Sequence, residues 1–229
     1  MRVLAARARD KNRLPGIRAC LQLIIPVVLL LSAWGCGGPP AMVNKYMFEY
    51  PSPVFKVKNP VAESLKVELF SVAQAYNSTA MVYRPNPYTQ KAYSYNRWQV
   101  NPGYLVTDFL VRDLRNSSLF KAVFPHTSGG RSRFVLEGGV AEIEELDAAD
   151  GWKAALSLNI TLLDVNEEEV TKRVVFQKNY QTQELMAEKT PQGLAQAMSR
   201  AMENLSQQIV AEVHQAVEKR AVAKTKKKE

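Results

Sequence analysis

The stretch whose reading decides the fold is A-M-V-Y-R-P-N-P-Y-T-Q-K-A-Y-S-Y-N-R-W-Q-V, from Ala80 to Val100. It gathers four of the nine tyrosines, one of the three tryptophans and two arginines. Two β-prone runs, residues 81–84 and 92–100, flank Pro85-Asn86-Pro87, which reads as the turn of a hairpin. Alternation in the second run sends Ala92, Ser94, Asn96 and Trp98 to one side and Tyr93, Tyr95, Arg97 and Gln99 to the other. The two prolines cannot donate ladder hydrogen bonds, so they belong in the connection or at an edge.

Outward from the hairpin, Asn101-Pro102 reads as a helix start, with Asn101 at the N-cap and Pro102 at the first helical position. The helix runs to about Asn116 and sets Leu105, Phe109, Leu110 and Leu114 near one face. Residues 120–124 form a short strand closed by Pro125. Before the hairpin, residues 65–72 alternate as a half-buried strand, and Tyr46 to Tyr50 read as a first, edge strand. After a loop at 126–130 come three long alternating runs, 134–145, 152–165 and 170–180, joined by short turns. They predict an antiparallel meander. In the first, Phe134, Leu136 and Val140 face inward, Ile143 falls on the opposite parity, and a bulge at Gly138-Gly139 is the expected reset. Ala154, Leu156, Leu158, Ile160 and Leu162 share one face of the second. Val174, Phe176 and Tyr180 are in phase in the third.

Thr190 caps the last helix. Leu194, Met198, Ala201, Leu205, Ile209, Val213 and Val217 recur at three- and four-residue steps, one apolar stripe fit to cover a sheet. The predicted class is α+β: a mixed, mainly antiparallel sheet with two helices packed on one face. The organisation is a leader at 1–35, a tether at 36–45, one domain at 46–219 and a basic, disordered tail at 220–229.

The net charge of +8 is uneven. Residues 1–35 carry +5 and residues 218–229 carry +4, which leaves the chain between them at −1. A near-neutral domain gives little ground for nucleic-acid binding.

The leader joins six basic residues to an apolar run, Leu21 to Trp34, and ends at Gly35-Cys36-Gly37-Gly38. That is the layout of an export signal. Even counted from Ala19 the run reaches only ~24 Å as a helix, short of a ~30 Å hydrocarbon core, and Gln22 and Pro26 interrupt it. Ala33-Trp34-Gly35-Cys36 resembles a bacterial lipobox, in which the cysteine is acylated and becomes the new N-terminus. Ala33 and Trp34 depart from its usual residues, while Gly35 supplies the small residue. Cys20 leaves with the leader, so zinc–thiolate and cysteine-nucleophile chemistry lack their ligands.

Val82-Tyr83-Arg84 followed by Tyr93-Ser94-Tyr95-Asn96-Arg97-Trp98 and a helix resembles the ABC-type transport auxiliary lipoproteins of bacteria. The resemblance spans roughly residues 65–217, and these two clusters are its specific part. It implies a non-enzymatic, lipid-anchored subunit of a mammalian-cell-entry class transport system. Such a system moves phospholipid or other hydrophobic molecules across the envelope. The subunit would dock a periplasmic component at a membrane, the outer one, with the mammalian-cell-entry-domain protein and the ABC subunits as partners. A second class fits the same layout: a structural or regulatory outer-membrane lipoprotein, such as an activator of cell-wall synthesis or an assembly factor.

The expected site residues are Cys36 for lipidation, and Tyr83, Arg84, Tyr95, Arg97 and Trp98 as a cluster. The cluster has two readings: it packs the hairpin, with guanidinium groups on rings and backbone carbonyls, or it faces a partner. No catalytic, cofactor or metal residues are expected. His126 and His214 lack a spacing partner, and no nucleotide or nucleophile motif occurs. Glu142, Glu144, Glu145, Asp147 and Asp150 lack the spacing of a calcium loop and read as a solvated strand end and turn.

Overall fold

The computed structural model describes residues 42–56 and 60–226. The expectations for the leader, for Cys36 and for the first part of the tether lie outside the described residues. Among those described, nine strands and two α-helices follow in the order β1 (Asn44–Tyr46), β2 (Val61–Val67), β3 (Ser71–Val72), β4 (Ala80–Asn86), β5 (Thr89–Trp98), α1 (Pro102–Asn116), β6 (Phe120–Pro125), β7 (Phe134–Ala148), β8 (Gly151–Asp164), β9 (Val174–Leu185) and α2 (Pro191–Lys226).

Strand β7 is the axis of the sheet. Along one side it pairs antiparallel with β8, and β8 pairs antiparallel with β9. Along its other side three strands share it, all parallel: β2 at its start (Leu65 opposite Phe134), β3 at its middle (Ser71 opposite Gly139) and β4 near its end (Tyr83 opposite Glu145). Beyond these lie β6, parallel to β2, then β5, antiparallel to β4, and β1, parallel to β5. The sheet is mixed and curled, α2 packs over β8 and β9, α1 packs against β6 and β7, and the helices touch. The α+β class holds, and so does the meander of the last three strands.

The side chains explain the layering. Ala154, Leu156, Leu158, Ile160 and Leu162 alternate along β8 and are all essentially inaccessible to water, as is the whole α2 stripe from Leu194 to Val217. Each large aliphatic buried in this way contributes ~1.5–3 kcal/mol, so the meander and α2 hold each other. Both helices start as their sequences direct. The Asn101 side chain accepts from the Gly103 amide at 2.9 Å, and Thr190 Oγ1 accepts from the Gly193 amide at 3.0 Å.

Several boundaries differ from expectation. The first strand ends at Tyr46, but Phe48 and Tyr50 still turn inward from an irregular segment and are buried. The strand expected over 65–72 begins at Val61, breaks after Val67 and resumes as β3, which leaves Leu69 outside it and partly exposed. Residues 170–172 form one 3-10 turn, so β9 starts at Val174, which is half-exposed and not inward. Helix α2 continues to Lys226, through most of the segment read as a tail.

The parity reset in β7 falls one step beyond the glycines, between Val140 and Glu142, so that Val140 and Ile143 both reach the core. Gly138 and Gly139 answer to something else. A Cβ at Gly138 would lie 2.5 Å from the Phe70 ring and 2.7 Å from the Asn159 carbonyl oxygen, and one at Gly139 would lie 2.6 Å from Ser71 Oγ. The glycines admit the chain that runs from β2 to β3 along the edge of β7, with the Phe70 ring against Gly138.

Candidate functional site: the β4–β5 hairpin and the acidic end of β7

The hairpin is longer and tighter than its sequence suggests. Asn86 pairs with Thr89, so Pro87-Tyr88 forms a two-residue turn and Pro85 lies inside β4, past the last residue that pairs with β7. Lower down, the register passes from Val82 opposite Ala92 to Ala80 opposite Arg97. Two steps on β4 therefore face five on β5, and residues 93–96 swing out as a large bulge.

The five cluster residues fall into different environments. Trp98 is a core residue, 1% exposed, with its ring edge-on to Phe48 at 5.7 Å. Phe48 in turn meets Phe109 of α1 at 5.4 Å, and the Arg112 guanidinium stands 4.3 Å over Phe109 and 4.4 Å over Tyr50. Arg97 closes the bulge from within: its Nη1 donates to the carbonyls of Tyr93 and Asn96. Tyr83 packs on Tyr93 with ring centres 5.0 Å apart. Arg84 forms an ion pair with Glu144, with Nε 3.1 Å from Oε1. Tyr95 is 55% exposed, the most open of the five.

Beneath the hairpin lies the feature that the sequence reading placed in solvent. Glu144 and Glu145 are fully buried. The hairpin covers them because Tyr83 and Arg84 of β4 pair with this end of β7. The successive carboxylates leave β7 on opposite faces, so each finds its own partners. Glu144 receives Arg84 and a hydrogen bond from Gln90 at 3.1 Å. Glu145 receives the Tyr93 hydroxyl at 2.6 Å. Further out, Asp147 pairs with Lys189 at 2.6 Å and Asp150 with Lys153 at 2.7 Å. The expected solvated strand end is thus real only at its last turn.

Burial sets the protonation of this cluster. It raises the carboxyl of Glu145, the repulsion of Asp147 adds to that, and the Tyr93 hydrogen bond and Lys189 pull the other way. Glu142 is raised by burial first, then by its hydrogen bond to Glu144 and that neighbour's charge, with Arg84 opposing. The Tyr76 and Tyr93 hydroxyls are raised by burial and by the adjoining carboxylates, so they stay protonated and act as donors. Each buried carboxylate keeps one oxygen hydrogen-bonded, Glu144 to Gln90 and Glu145 to Tyr93, while Glu145 Oε1 and Asp147 Oδ1 have no hydrogen-bond partner among the described residues, a cost the fold carries here. Among the described residues no group of three or more His, Cys, Asp or Glu side chains has the geometry to hold a metal ion.

A third buried carboxylate is invisible in the helix periodicity. Asp113 of α1 accepts from the Tyr50 hydroxyl at 2.8 Å and from Ser206 of α2 at 2.6 Å, and pairs with Arg112 at 2.8 Å. It joins both helices to the entering chain. At the far end of the sheet, burial raises Asp164, but hydrogen bonds and charge from Arg133, with Arg220 behind, outweigh it and hold the carboxyl below its usual range. His214 of α2 is partly buried, with its ring edge-on to Phe120 at 5.9 Å. Strand β9 pairs with β8 alone among the described strands. Between that edge and the C-terminal half of α2 lies an open groove of about 680 Å³, with Val175, Phe176 and Ala216 as its apolar part and Lys178, Glu212 and Lys219 at its rim.

The model of the family described as ABC-type transport auxiliary lipoprotein component matches residues 46–210, most of the chain and all of the hairpin cluster. The chain belongs to this family. Among solved structures it is similar to a Xanthomonas campestris protein assigned to the family model DUF330. That pair has 20% identity and a TM-score of 0.68, with 79% of this chain and 99% of the other covered. It is also similar to an uncharacterized protein at 14% identity and a TM-score of 0.59, with 75% and 99% covered. At these identities the likeness is one of fold. No curated protein matches. Membership makes the chain an auxiliary lipoprotein component of an ABC-type transport system, associated with the cell envelope. No helix among the described residues is long and apolar enough to cross a membrane.

Proposed function

We propose that this family member is a non-enzymatic subunit of a mammalian-cell-entry class system that moves phospholipid or other hydrophobic molecules across the envelope. Acylated at Cys36, it sits at the periplasmic face of the outer membrane and docks the system's periplasmic component there. The observation that carries this reading is the family match over residues 46–210. The lipobox-like Ala33-Trp34-Gly35-Cys36 at the end of an apolar leader supports the anchor. The buried carboxylates are each engaged by Arg84, Gln90 or Tyr93, which suits a brace for the hairpin better than acid–base chemistry on a substrate.

Epistasis tests the reading. Strains lacking this chain, the ABC ATPase of the same organism's mammalian-cell-entry system, or both should show one membrane-barrier defect of equal size. Additive defects, or a defect confined to cell-wall growth, would assign the chain to another envelope process.

A further inference from the structure

One end of the molecule is built from two adjacent hairpin tips. Arg84 lies opposite Leu146 on parallel strands, so two residues further on Asn86 and Ala148 reach the same level. There the β4–β5 chain turns through Pro87-Tyr88, and the β7–β8 chain turns through Ala149-Asp150 between Ala148 and Gly151. Beside them β9 ends at Leu185, which is paired with Lys153.

These tips and the adjoining ends of β8 and β9 carry exposed apolar side chains: Tyr88 at 98%, Leu185 at 58% and Trp152 at 39%, with Ala148 and Ala149 also exposed. Nothing in the fold requires a tyrosine fully in water at the end of a two-residue turn. The charges around them are paired: Lys153 with Asp150, and Lys189 with Asp147, while Lys189 also stands 5.4 Å over the Trp152 ring. Tyrosine, tryptophan and an aliphatic side chain, set among neutralised charges, match the chemistry of a membrane–water interface.

The entering chain points at the same end. Strand β1 runs parallel to β5, so at Asn44 its N-terminal direction is toward the β4–β5 tip. Asn44 lies opposite Asn96, next to the Arg97–Ala80 pair. Six residues of β4 separate that level from Asn86, so the tip is ~20 Å from Asn44 at ~3.3 Å per residue. Eight residue steps separate Cys36 from Asn44, a reach of at most ~27 Å. That length permits the tips to touch a surface that holds a lipid on Cys36.

We propose that the paired tips, led by Tyr88, Trp152 and Leu185, are the face this protein lays on the phospholipid surface that carries its own acyl anchor. The inference rests on the acylation of Cys36. It fixes the orientation: the β8–β9 turn and the C-terminal end of α2 point away from that membrane, toward the periplasm.

The mature chain has no thiol besides Cys36, so single labels are clean. Full-length lipoprotein carrying Tyr88→Cys, Ala149→Cys or Glu168→Cys is spin-labelled and reconstituted in vesicles of phosphatidylethanolamine and phosphatidylglycerol. Its accessibility to oxygen and to an aqueous nickel chelate is then measured, and intact mass reports acylation in the same samples. Residue 168 lies in the β8–β9 turn, at the opposite end of a β7–β8 pair ~46 Å long. The expected result is acylated protein whose labels at 88 and 149 are shielded from nickel and open to oxygen severalfold more than the label at 168. Acylated protein whose labels at 88 and 149 are as open to nickel as the one at 168 overturns the membrane-facing tips and leaves the anchor standing. Unacylated Cys36 overturns both. Using two tip positions guards against a disturbance by either label.

Discussion

The guanidinium Nε of Arg84 stands 3.1 Å from Oε1 of Glu144, a carboxylate whose side chain has no exposed surface. The arginine lies on the first strand of the hairpin and the glutamate on the axis strand of the sheet, so the pair fastens one to the other. Truncating Arg84 to alanine should cost about 3 kcal/mol, because a buried charge would lose its counter-charge. Adding Glu144→Gln should recover much of that, since an amide needs no counter-ion. Urea denaturation of the two single variants and the double measures the coupling. A coupling near zero would show that Glu144 is compensated by Gln90 alone.

Folding stability should rise on mild acidification. Burial raises Glu145 and Glu142 above their unfolded values. Between the unfolded and folded values the native state holds more protons than the unfolded chain, so stability grows as pH falls through that window. Below the unfolded carboxylate range, ~4, the sign reverses. Asp164 and Glu212 are held low by Arg133 and Lys178, and the stability of those pairs is lost as pH falls through their folded values. Tm measured from pH 7.5 to 3 should therefore pass through a maximum on the acid side of neutrality. Glu145→Gln should flatten the upper limb, because the amide binds no proton in that window. An unchanged slope in that variant would move the origin of the effect to Glu142.

Gly138→Ala should destabilise by ~2–3 kcal/mol, since its Cβ would meet both the Phe70 ring and a β8 carbonyl, and backbone cannot yield as a side chain end can. Thermal unfolding measures it. A cost within about 0.5 kcal/mol of zero, the range of an ordinary surface change, would mean that Phe70 turns aside freely.

The hairpin cluster should separate by burial. Trp98→Ala should cost ~3–5 kcal/mol as a large core truncation, and Arg97→Ala should loosen the bulge. Tyr95→Ala should leave stability within about 0.5 kcal/mol. A loss of complex formation in Tyr95→Ala at unchanged Tm would mark the bulge as a partner contact. No loss there, with losses in Trp98→Ala that track stability, would mark the cluster as a brace.

The architecture was legible where burial is one-sided. Strand β8 and helix α2 announce themselves because every inward position is apolar and every step keeps its period, and both caps follow from Asn101-Pro102 and Thr190. The hairpin was legible from its aromatics and prolines, although the extent of its strands was not. A bulge of four residues leaves no mark in a run that alternates on paper. The buried acids were illegible for a related reason. Glu144 and Glu145 look like a strand leaving the core, and only the parallel pairing of β4 with β7, between segments some sixty residues apart, covers them. Asp113 shows the same limit, since its partners Tyr50 and Ser206 are distant in the chain. Long-range pairing decides which polar residues are sealed, and periodicity carries no information about it.

The company this protein keeps is measured most directly by purifying the mature, membrane-extracted protein under gentle detergent, with quantitative mass spectrometry of what accompanies it. The expected result is stoichiometric recovery of a mammalian-cell-entry-domain protein with its ABC ATPase and permease. Recovery of a cell-wall synthase or an outer-membrane barrel in their place would contradict it.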